Sequence, residues 1–439
     1  MNKVKNRTFS VMILVAIAVL SMGYFVVRFV MNAEQWASAP FNRAAFHDGM
    51  LASGTVTDRN GLILADVVDG RRVFATDETV RRSTLHAVGD RAGNIGTGAL
   101  NVYAGHLMGY NLITGSYSLT GTGGRVELNI DAGLNNVALN ALDGRRGAVM
   151  VANYVTGEVL VMVSTPTFDP NSPPADPVEG VFVNRAIQSA FTPGSTYKVV
   201  TAAAAIDLIS GIWNRTFHCH GSLETGRGTV TCPSNHGSID FVRAMQVSCN
   251  VAFGELALEL GGSILEAYAS SFGLSQSTRI SGMTTASGNF DIAPSNTAEL
   301  AWSGIGQSTN TVAPASMLRF AGAIANGGEA VELQLTRRTG LSRIISPTTE
   351  RIMETRTAIG LHEVMTVANP QNFPGLELFG KTGTAQVGGD HDPHAWFFGF
   401  ITNEDFPLAF VVFVENGGGG AAVAAPIANT VLQAAISRD

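Results

Sequence analysis

Between Arg7 and Arg28 the chain holds twenty consecutive uncharged residues, TFSVMILVAIAVLSMGYFVV, enough for one helix to cross a bilayer. Beyond this run the pattern breaks into shorter elements. GTVTDRNGLILA (54–65) reads as strand, turn at Asn60-Gly61, strand. Glycine-rich sequence then leads to a linker expected near Gly121 to Gly124. RVELNIDAGLNNVALNAL predicts a strand and then a helix N-capped by Asp131. GRRGAVMVANYVTGEVLVMVS (144–164) alternates and turns at Thr156-Gly157, the pattern of a β-hairpin. Helices are predicted from Tyr197 to Ile206, across DFVRAMQVSCNVAFGELALELGG as one continuous helix, and across TVAPASMLRFAGAIANGG, the last two stopped by glycine. LELFGKTGTAQV, HAWFFGFIT and LAFVVFVEN follow as successive strands, and AAVAAPIANTVLQAAISR closes as a helix. Strands at both ends with helices between them predict an α/β (α+β) fold, an antiparallel β-sheet flanked by helices.

This pattern divides the chain into a tail (1–7), a transmembrane anchor (8–30), a short membrane-proximal region (31–124) and a larger domain (125–439). Lys3, Lys5 and Arg7 precede the apolar run, so the tail is expected on the cytoplasmic side and the rest outside. A cleaved signal peptide is the competing reading, with ASA at Ala37 to Ala39 as its cut site. The apolar run exceeds the roughly 7–15 residues of a signal core, which favours a single-pass anchor.

Composition changes this picture little. A chain of 439 residues, 45% hydrophobic and 14% charged, is ordinary for two or three globular domains. Its net charge of -7 and lack of a basic cluster argue against nucleic acid as a partner. The basic residues themselves are more telling. Of the 28, only Lys3, Lys5, Lys198 and Lys381 are lysine. Arginine stays protonated, whereas a buried lysine can give up its proton and act as a base, so Lys198 and Lys381 are the first candidates for chemistry.

Lys198 lies three residues after Ser195 in FTPGSTYKVV, one face of a helix start. A serine hydroxyl becomes nucleophilic when a neighbouring base takes its proton, and a lysine serves if burial or a second cation lowers its pKa. Lys381, opening KTGTAQ, is the second cation. Thr382 and Thr384, with Gly383 allowing close backbone approach, suit recognition of a carboxylate at a sheet edge. Ser248 and Asn250, in VSCN, offer a hydroxyl and an amide between the two lysines. Ser-X-X-Lys or Ser-X-Asn alone carries little weight; Thr-Gly-Thr after a given lysine is the rarer signal.

The ordered set Ser-X-X-Lys, Ser-X-Asn, Lys-Thr-Gly resembles that of the penicillin-binding proteins and serine β-lactamases. RGAVMVANYVTGEVLVMVSTPTFDPN, NRAIQSAFTPGSTYKVVTAAAA, CNVAFGELALELG and GIGQSTNTVAPASMLRFAGAIANGG extend it, and the chain looks most like a class B penicillin-binding protein, a monofunctional peptidoglycan transpeptidase. The resemblance covers about residues 50 to 65 and 125 to 439. It implies Ser195 as nucleophile on a D-Ala-D-Ala stem peptide, Lys198 as its base and Ser248 as proton relay. Asn250 would hold the substrate amide, Lys381 with Thr382 and Thr384 the terminal carboxylate, and the Ser195 and Thr384 backbone N–H groups would form the oxyanion hole. It implies inhibition by β-lactams, no cofactor or metal, and a SEDS-type glycosyltransferase partner in the membrane. Ser53 departs from the arginine the family often carries before DRNG.

Three further features enter as expectations. A hairpin across FHCHGSLETGRGTVTC would bring Cys219 and Cys232 together, and an oxidising exterior would let them form a disulfide. His218, His220 and His236 lack the regular spacing of zinc ligands, and Cys249 is expected to be an unpaired, buried, small apolar residue. His391 and His394 are expected to be solvated or at a substrate rim, and NGGGGAAVAAP (416–426) to be a flexible connection after an edge strand.

Overall fold

The computed structural model describes residues 2–37, 46–47, 50–51, 53–109, 123–291, 297–338 and 347–437. Helix α1 (Asn2–Ala37) contains the apolar run. Within Arg7–Met31 the most apolar window has a mean hydropathy of 2.5, and none of it is buried against the rest of the chain. The 25 residues of that stretch rise by about 37 Å at about 1.5 Å each, which exceeds the hydrocarbon thickness of a bilayer.

A small sheet follows, from β1 (Thr55–Thr57), β2 (Ile63–Val68), β3 (Arg71–Phe74) and β4 (Arg125–Glu127), in the order β3-β2-β1-β4. The DRNG turn between β1 and β2 is built by Asp58, whose Oδ1 accepts from the N–H groups of Asn60 and Leu62, both at 2.9 Å. Asp58 Oδ2 also accepts from Ala132 N at 3.3 Å, and Asn60 Nδ2 donates to Asp131 Oδ2 at 3.0 Å. The turn thereby grips the first residues of α2 (Ala132–Leu142). β4 pairs in parallel with β1, so the boundary expected at 124/125 cuts through this sheet. At the unusual Ser53, the buried Arg72 guanidinium donates to the carbonyls of Gly54 (2.7 Å) and Ser53. Most of the expected 121–124 linker region and its flank, residues 110–122, lie outside the described residues.

The larger unit begins with the predicted hairpin, β5 (Gly147–Asn153) and β6 (Val159–Thr165). The helices that come next include α3 (Lys198–Leu208), α4 (Phe241–Gln246), α5 (Asn250–Leu260) and α6 (Pro314–Ala325). Strands β7 (Leu378–Ala385), β8 (His394–Ile401) and β9 (Leu408–Val414) return to the hairpin, and α7 (Ala424–Ile436) closes the chain. The sheet order is β7-β8-β9-β5-β6, antiparallel throughout. β9 is therefore the central strand, not the edge strand expected, and β7 with its Lys-Thr-Gly sequence is the edge.

Both faces of this sheet are buried, so its strands are nearly unbroken apolar runs, and the alternation expected in the hairpin is not found. Val149, Val151, Phe397, Phe410 and Val412 point to one side, where Leu134 of α2 and Val431 and Leu432 of α7 cover them. Met150, Trp396, Phe398, Phe400, Val411 and Phe413 point to the other, against Val199 of α3 and Phe320 of α6. Phe398 is fully buried, its ring 6.2 Å from that of Phe320. Removing such a ring leaves a cavity the sheet cannot close, so Phe398→Ala is expected to lower unfolding free energy by about 3–5 kcal/mol. The urea midpoint checks this, and a midpoint equal to wild type would contradict it.

Candidate active site

Ser195 stands in a turn clamped from three sides. Phe191 and Val312 exchange backbone hydrogen bonds (3.0 and 2.9 Å), Trp396 Nε1 donates to Thr192 O (2.9 Å), and Gly194 N donates to Gly306 O (2.9 Å). Gly194 has φ +54°, and a Cβ there would stand 2.6 Å from Thr384 O. Only glycine lets this turn lie against β7. Gly383 answers it from the strand, where a Cβ would come within 2.7 Å of Pro193 O. Gly194–Tyr197 is a 3-10 turn that runs directly into α3. In that geometry residues three apart eclipse, and Lys198 Nζ comes to 3.2 Å from Ser195 Oγ.

The single helix expected through VSCN is broken, and the break is what delivers Ser248. Ser248 N donates to Met245 O (3.0 Å) and Cys249 N to Ala244 O (2.8 Å), the paired bonds of a Schellman stop at the end of α4. The left-handed position of that motif usually falls to glycine; here it is Ser248, with φ +55°. A non-glycine residue held there costs on the order of 1 kcal/mol or more. Its side chain explains the choice. Ser248 Oγ lies 3.0 Å from both Lys198 Nζ and Lys381 Nζ. Asn250 opens α5, with Oδ1 accepting from Lys198 Nζ at 2.7 Å and Nδ2 donating to Thr231 O at 2.8 Å.

Lys198 is thus surrounded by four oxygens, the fourth being Ser248 O at 2.6 Å. A neutral amine has two N–H donors and one lone pair. The Ser248 carbonyl and Asn250 Oδ1 can only accept, so they take the two donors, and the lone pair is left for a hydroxyl proton. Lys381 Nζ also donates to Thr382 O (2.8 Å). Thr382 is half-buried and Thr384 exposed, its Oγ1 accepting from Gly420 N at 3.2 Å. The outer edge of β7 is covered as far as Gly380, whose N–H donates to Met365 O (2.9 Å). Beside it a cavity of about 420 Å³ is lined by Lys381, Thr382, Gln246, Asn369, Phe373 and Asn429, among others.

Both lysines are buried, Lys198 completely. Every ion pair among the described residues is made by an arginine, so neither lysine has a carboxylate to hold its proton. Burial pushes the Lys198 amine well below the ordinary lysine range, and the Lys381 charge pushes it further, against an opposite pull from Cys232 and Cys249. Burial alone brings Lys381 to about 7.

Several expectations are corrected around this centre. All three cysteines are free: the predicted hairpin brings Cys219 and Cys232 together, but both sulfurs face His236 Nδ1 at 3.5 Å and form no bond with each other. Cys249 is buried as expected yet not isolated, since Cys232 Sγ is 4.0 Å away. His394 is buried, its Nδ1 accepting from Asn416 N (3.0 Å), whereas His391 is exposed. The glycine run after β9 packs on the Lys-Thr-Gly strand, where Gly420 reaches Thr384. Thr231 O and Gly420 N carry no side-chain signal and were not foreseeable; Cys249, lying between Ser248 and Asn250, was the one legible hint that the cysteines approach the site.

Residues 147–433 match the family described as the penicillin binding protein transpeptidase domain. A curated relative from Mycolicibacterium smegmatis, named peptidoglycan D,D-transpeptidase PbpA, is 31% identical over 360 residues, covering 72% of this chain and 73% of the relative. The protein of that name from Mycobacterium tuberculosis is 29% identical over 374 residues, with the same coverage. Among solved structures, the penicillin G acyl-enzyme complex of M. tuberculosis penicillin-binding protein A is similar at TM-score 0.75 and 26% identity, covering 88% of this chain and 99% of that one. The D,D-transpeptidase domain of a peptidoglycan glycosyltransferase from Eggerthella lenta is similar at TM-score 0.74 and 28% identity, covering 88% and 98%. With its three motifs drawn to one point beside the sheet edge, the chain belongs to the penicillin-binding protein transpeptidase family, in its class B branch.

Proposed function

We propose that the protein is a membrane-anchored peptidoglycan D,D-transpeptidase acting through a Ser195 acyl-enzyme. One observation carries this reading: the unbroken line Ser195 Oγ, Lys198 Nζ, Ser248 Oγ, Lys381 Nζ, with steps of 3.2, 3.0 and 3.0 Å. The names of its relatives support the substrate. The open part of the β7 edge suits an extended peptide, with Lys381, Thr382 and Thr384 on its terminal carboxylate.

In this reading Lys198 takes the Ser195 proton as Oγ attacks the carbonyl of D-Ala-D-Ala. The oxyanion is stabilised by the backbone N–H groups of Ser195 and Thr384, and losing one such donor typically lowers rate about 10²–10³-fold. The C–N bond then breaks, and Ser248 passes a proton from the Lys198 side to the departing D-alanine amine. Asn250, held by Lys198 and Thr231, orients the substrate amide. The amine of a second stem peptide attacks the ester, its proton returns through Lys198, and Ser195 is restored as the cross-link forms. A β-lactam acylates Ser195 in the same way, but its leaving amine stays tethered, so the adduct persists. The basic residues before the apolar helix support a cytoplasmic N-terminus, a single pass and an external catalytic domain. A SEDS-type glycosyltransferase in the same membrane would supply the glycan strands.

Fluorescent penicillin followed by peptide mass mapping should place one long-lived adduct on the peptide containing Ser195 and none in Ser195→Ala. Turnover of many penicillin molecules per chain would make the protein a hydrolase instead. The second-order acylation rate reports the free enzyme's ionisations. It should fall on the acid side as Lys198 gains a proton, and on the alkaline side near pH 7 as Lys381 loses the charge that binds carboxylate. Lys381→Arg, which stays charged, should shift the alkaline limb upward. A profile flat from about pH 5 to 9 would contradict both assignments.

A further inference from the structure

Beyond the lysine that receives the terminal carboxylate, the edge of β7 does not close. Gly380 N donates outward to Met365 O, and alternation along a strand puts the backbone groups of Thr382 and Thr384 on the same outer edge. At Gly380 to Thr382 that edge opens into the cavity of about 420 Å³, within the range of about 300–1,000 Å³ typical of small-molecule pockets. The end of α4, the segment 364–373 and the start of α7 frame the rest of it. Gln246, Asn369 and Asn429 contribute carboxamides, and Phe373 and Ala425 apolar surface. Among the described residues no carboxylate lines it, and its one charged group is Lys381. Neither Ser195 nor Lys198 is in its wall, so the cavity adjoins the reacting centre without containing it.

The second half of the proposed reaction needs such a space. The tetrahedral adduct that expels D-alanine and the one formed by the acceptor amine are of the same kind: a carbon carrying Ser195 Oγ, an oxyanion and an amine. With the oxyanion held by the same two N–H groups, the incoming nitrogen approaches along the path by which the D-alanine nitrogen left. Release of D-alanine also leaves the buried Lys381 without a carboxylate. An acceptor whose amine-bearing carbon carries a carboxyl group restores that contact, whereas a simple amine leaves a buried cation unpaired. Any side chain longer than the methyl of D-alanine then needs room beside Lys381 and Thr382, and the cavity supplies it. A carboxylate in its wall would hold the acceptor as an ammonium ion, which cannot attack; carboxamides bind polar groups without doing so.

We propose that this cavity is the acceptor subsite: it takes the aliphatic side chain of a D-configured α-amino acid end on the second stem peptide, while the carboxyl group on the same carbon returns to Lys381, Thr382 and Thr384. The amine lone pair attacks the ester carbonyl carbon. A C–N bond forms as the bond to Ser195 Oγ breaks, and the amine proton passes through Lys198 to Ser195 Oγ, restoring the hydroxyl. The configuration follows from the leaving group. A D centre presents amine and carboxyl as D-alanine does, whereas an L centre exchanges side chain and hydrogen and turns the chain away from the cavity.

This inference rests on the transpeptidase reading, and its test separates the two. Full-length protein in detergent is given a soluble N-acetylated peptide ester ending in D-Ala-D-lactate, which acylates Ser195 with release of D-lactate. The acyl group is then shared between water and an added amine: D-alanine, D-norleucine, L-norleucine or n-pentylamine. At equal concentration D-norleucine should form its amide about tenfold or more faster than each of the other three, as extra methylenes in a fitted pocket discriminate. Asn429→Trp, at a half-buried position of α7, fills the cavity and should bring the D-norleucine to D-alanine ratio to about one. The wild-type series decides the matter even if that variant does not fold. D-norleucine no better than D-alanine would overturn the role of the cavity. Pentylamine equal to D-norleucine would overturn the carboxyl contact, and L-norleucine equal to it the configuration. If no D-lactate is released, the proposed function falls and the subsite with it; if D-lactate is released and chain length makes no difference, only the subsite falls.

Discussion

The active centre depends on a lysine amine, Lys198, held out of water with oxygens as its only close partners. Its two carbonyl-type neighbours, Ser248 O and Asn250 Oδ1, accept its hydrogens at 2.6 and 2.7 Å. With no carboxylate beside it and a second buried lysine one hydroxyl away, the neutral form is favoured. Each part of the surrounding structure contributes to this arrangement. The alanine-rich start of α3 buries the amine, the Schellman stop after α4 turns Ser248 toward it, and the edge strand β7 brings Lys381 across.

That arrangement sets local demands that override ordinary preferences. Ser248 occupies a conformation suited to glycine because a glycine there would leave nothing between the two lysines. Gly194 and Gly383 have no side chains because the nucleophile turn and the carboxylate-binding strand meet backbone to backbone. The sheet behind them tolerates no such compromise: its apolar side chains are packed on both faces, which gives β7 a fixed base from which to present Lys381, Thr382 and Thr384.

Much of this was legible before any coordinates. The strands of the large sheet could be read because double burial makes them continuous apolar runs, the first turn because Asn60-Gly61 favours one, and the start of α2 because Asp131 is a capping residue. The economy of lysine pointed to Lys198 and Lys381. The rest depended on contacts distant in sequence. The helix break at Ser248 was hidden because VRAMQVSCNVAFGEL keeps an unbroken helical pattern of apolar residues, and the stop carries no glycine. The central place of β9 was hidden because strand order is a long-range property. The cysteine cluster was misread as a pair because proximity of Cys249 to Cys219 and Cys232 arises only when α5 docks against the small hairpins.

The central claim is that burial holds both active-site lysines at depressed pKa values in the resting enzyme, with the Lys381 charge lowering Lys198 further. The chain has only four lysines, so the test is unusually clean: NMR titration of full-length protein carrying ¹³C-labelled lysine side chains, assigned with Lys198→Arg and Lys381→Arg. Lys3 and Lys5 should titrate near the ordinary value of about 10.4. Lys381 should titrate at about 7, and Lys198 well below the ordinary range. Four resonances all titrating near about 10.4 would contradict the account, since Lys198 could not then serve as the base that activates Ser195.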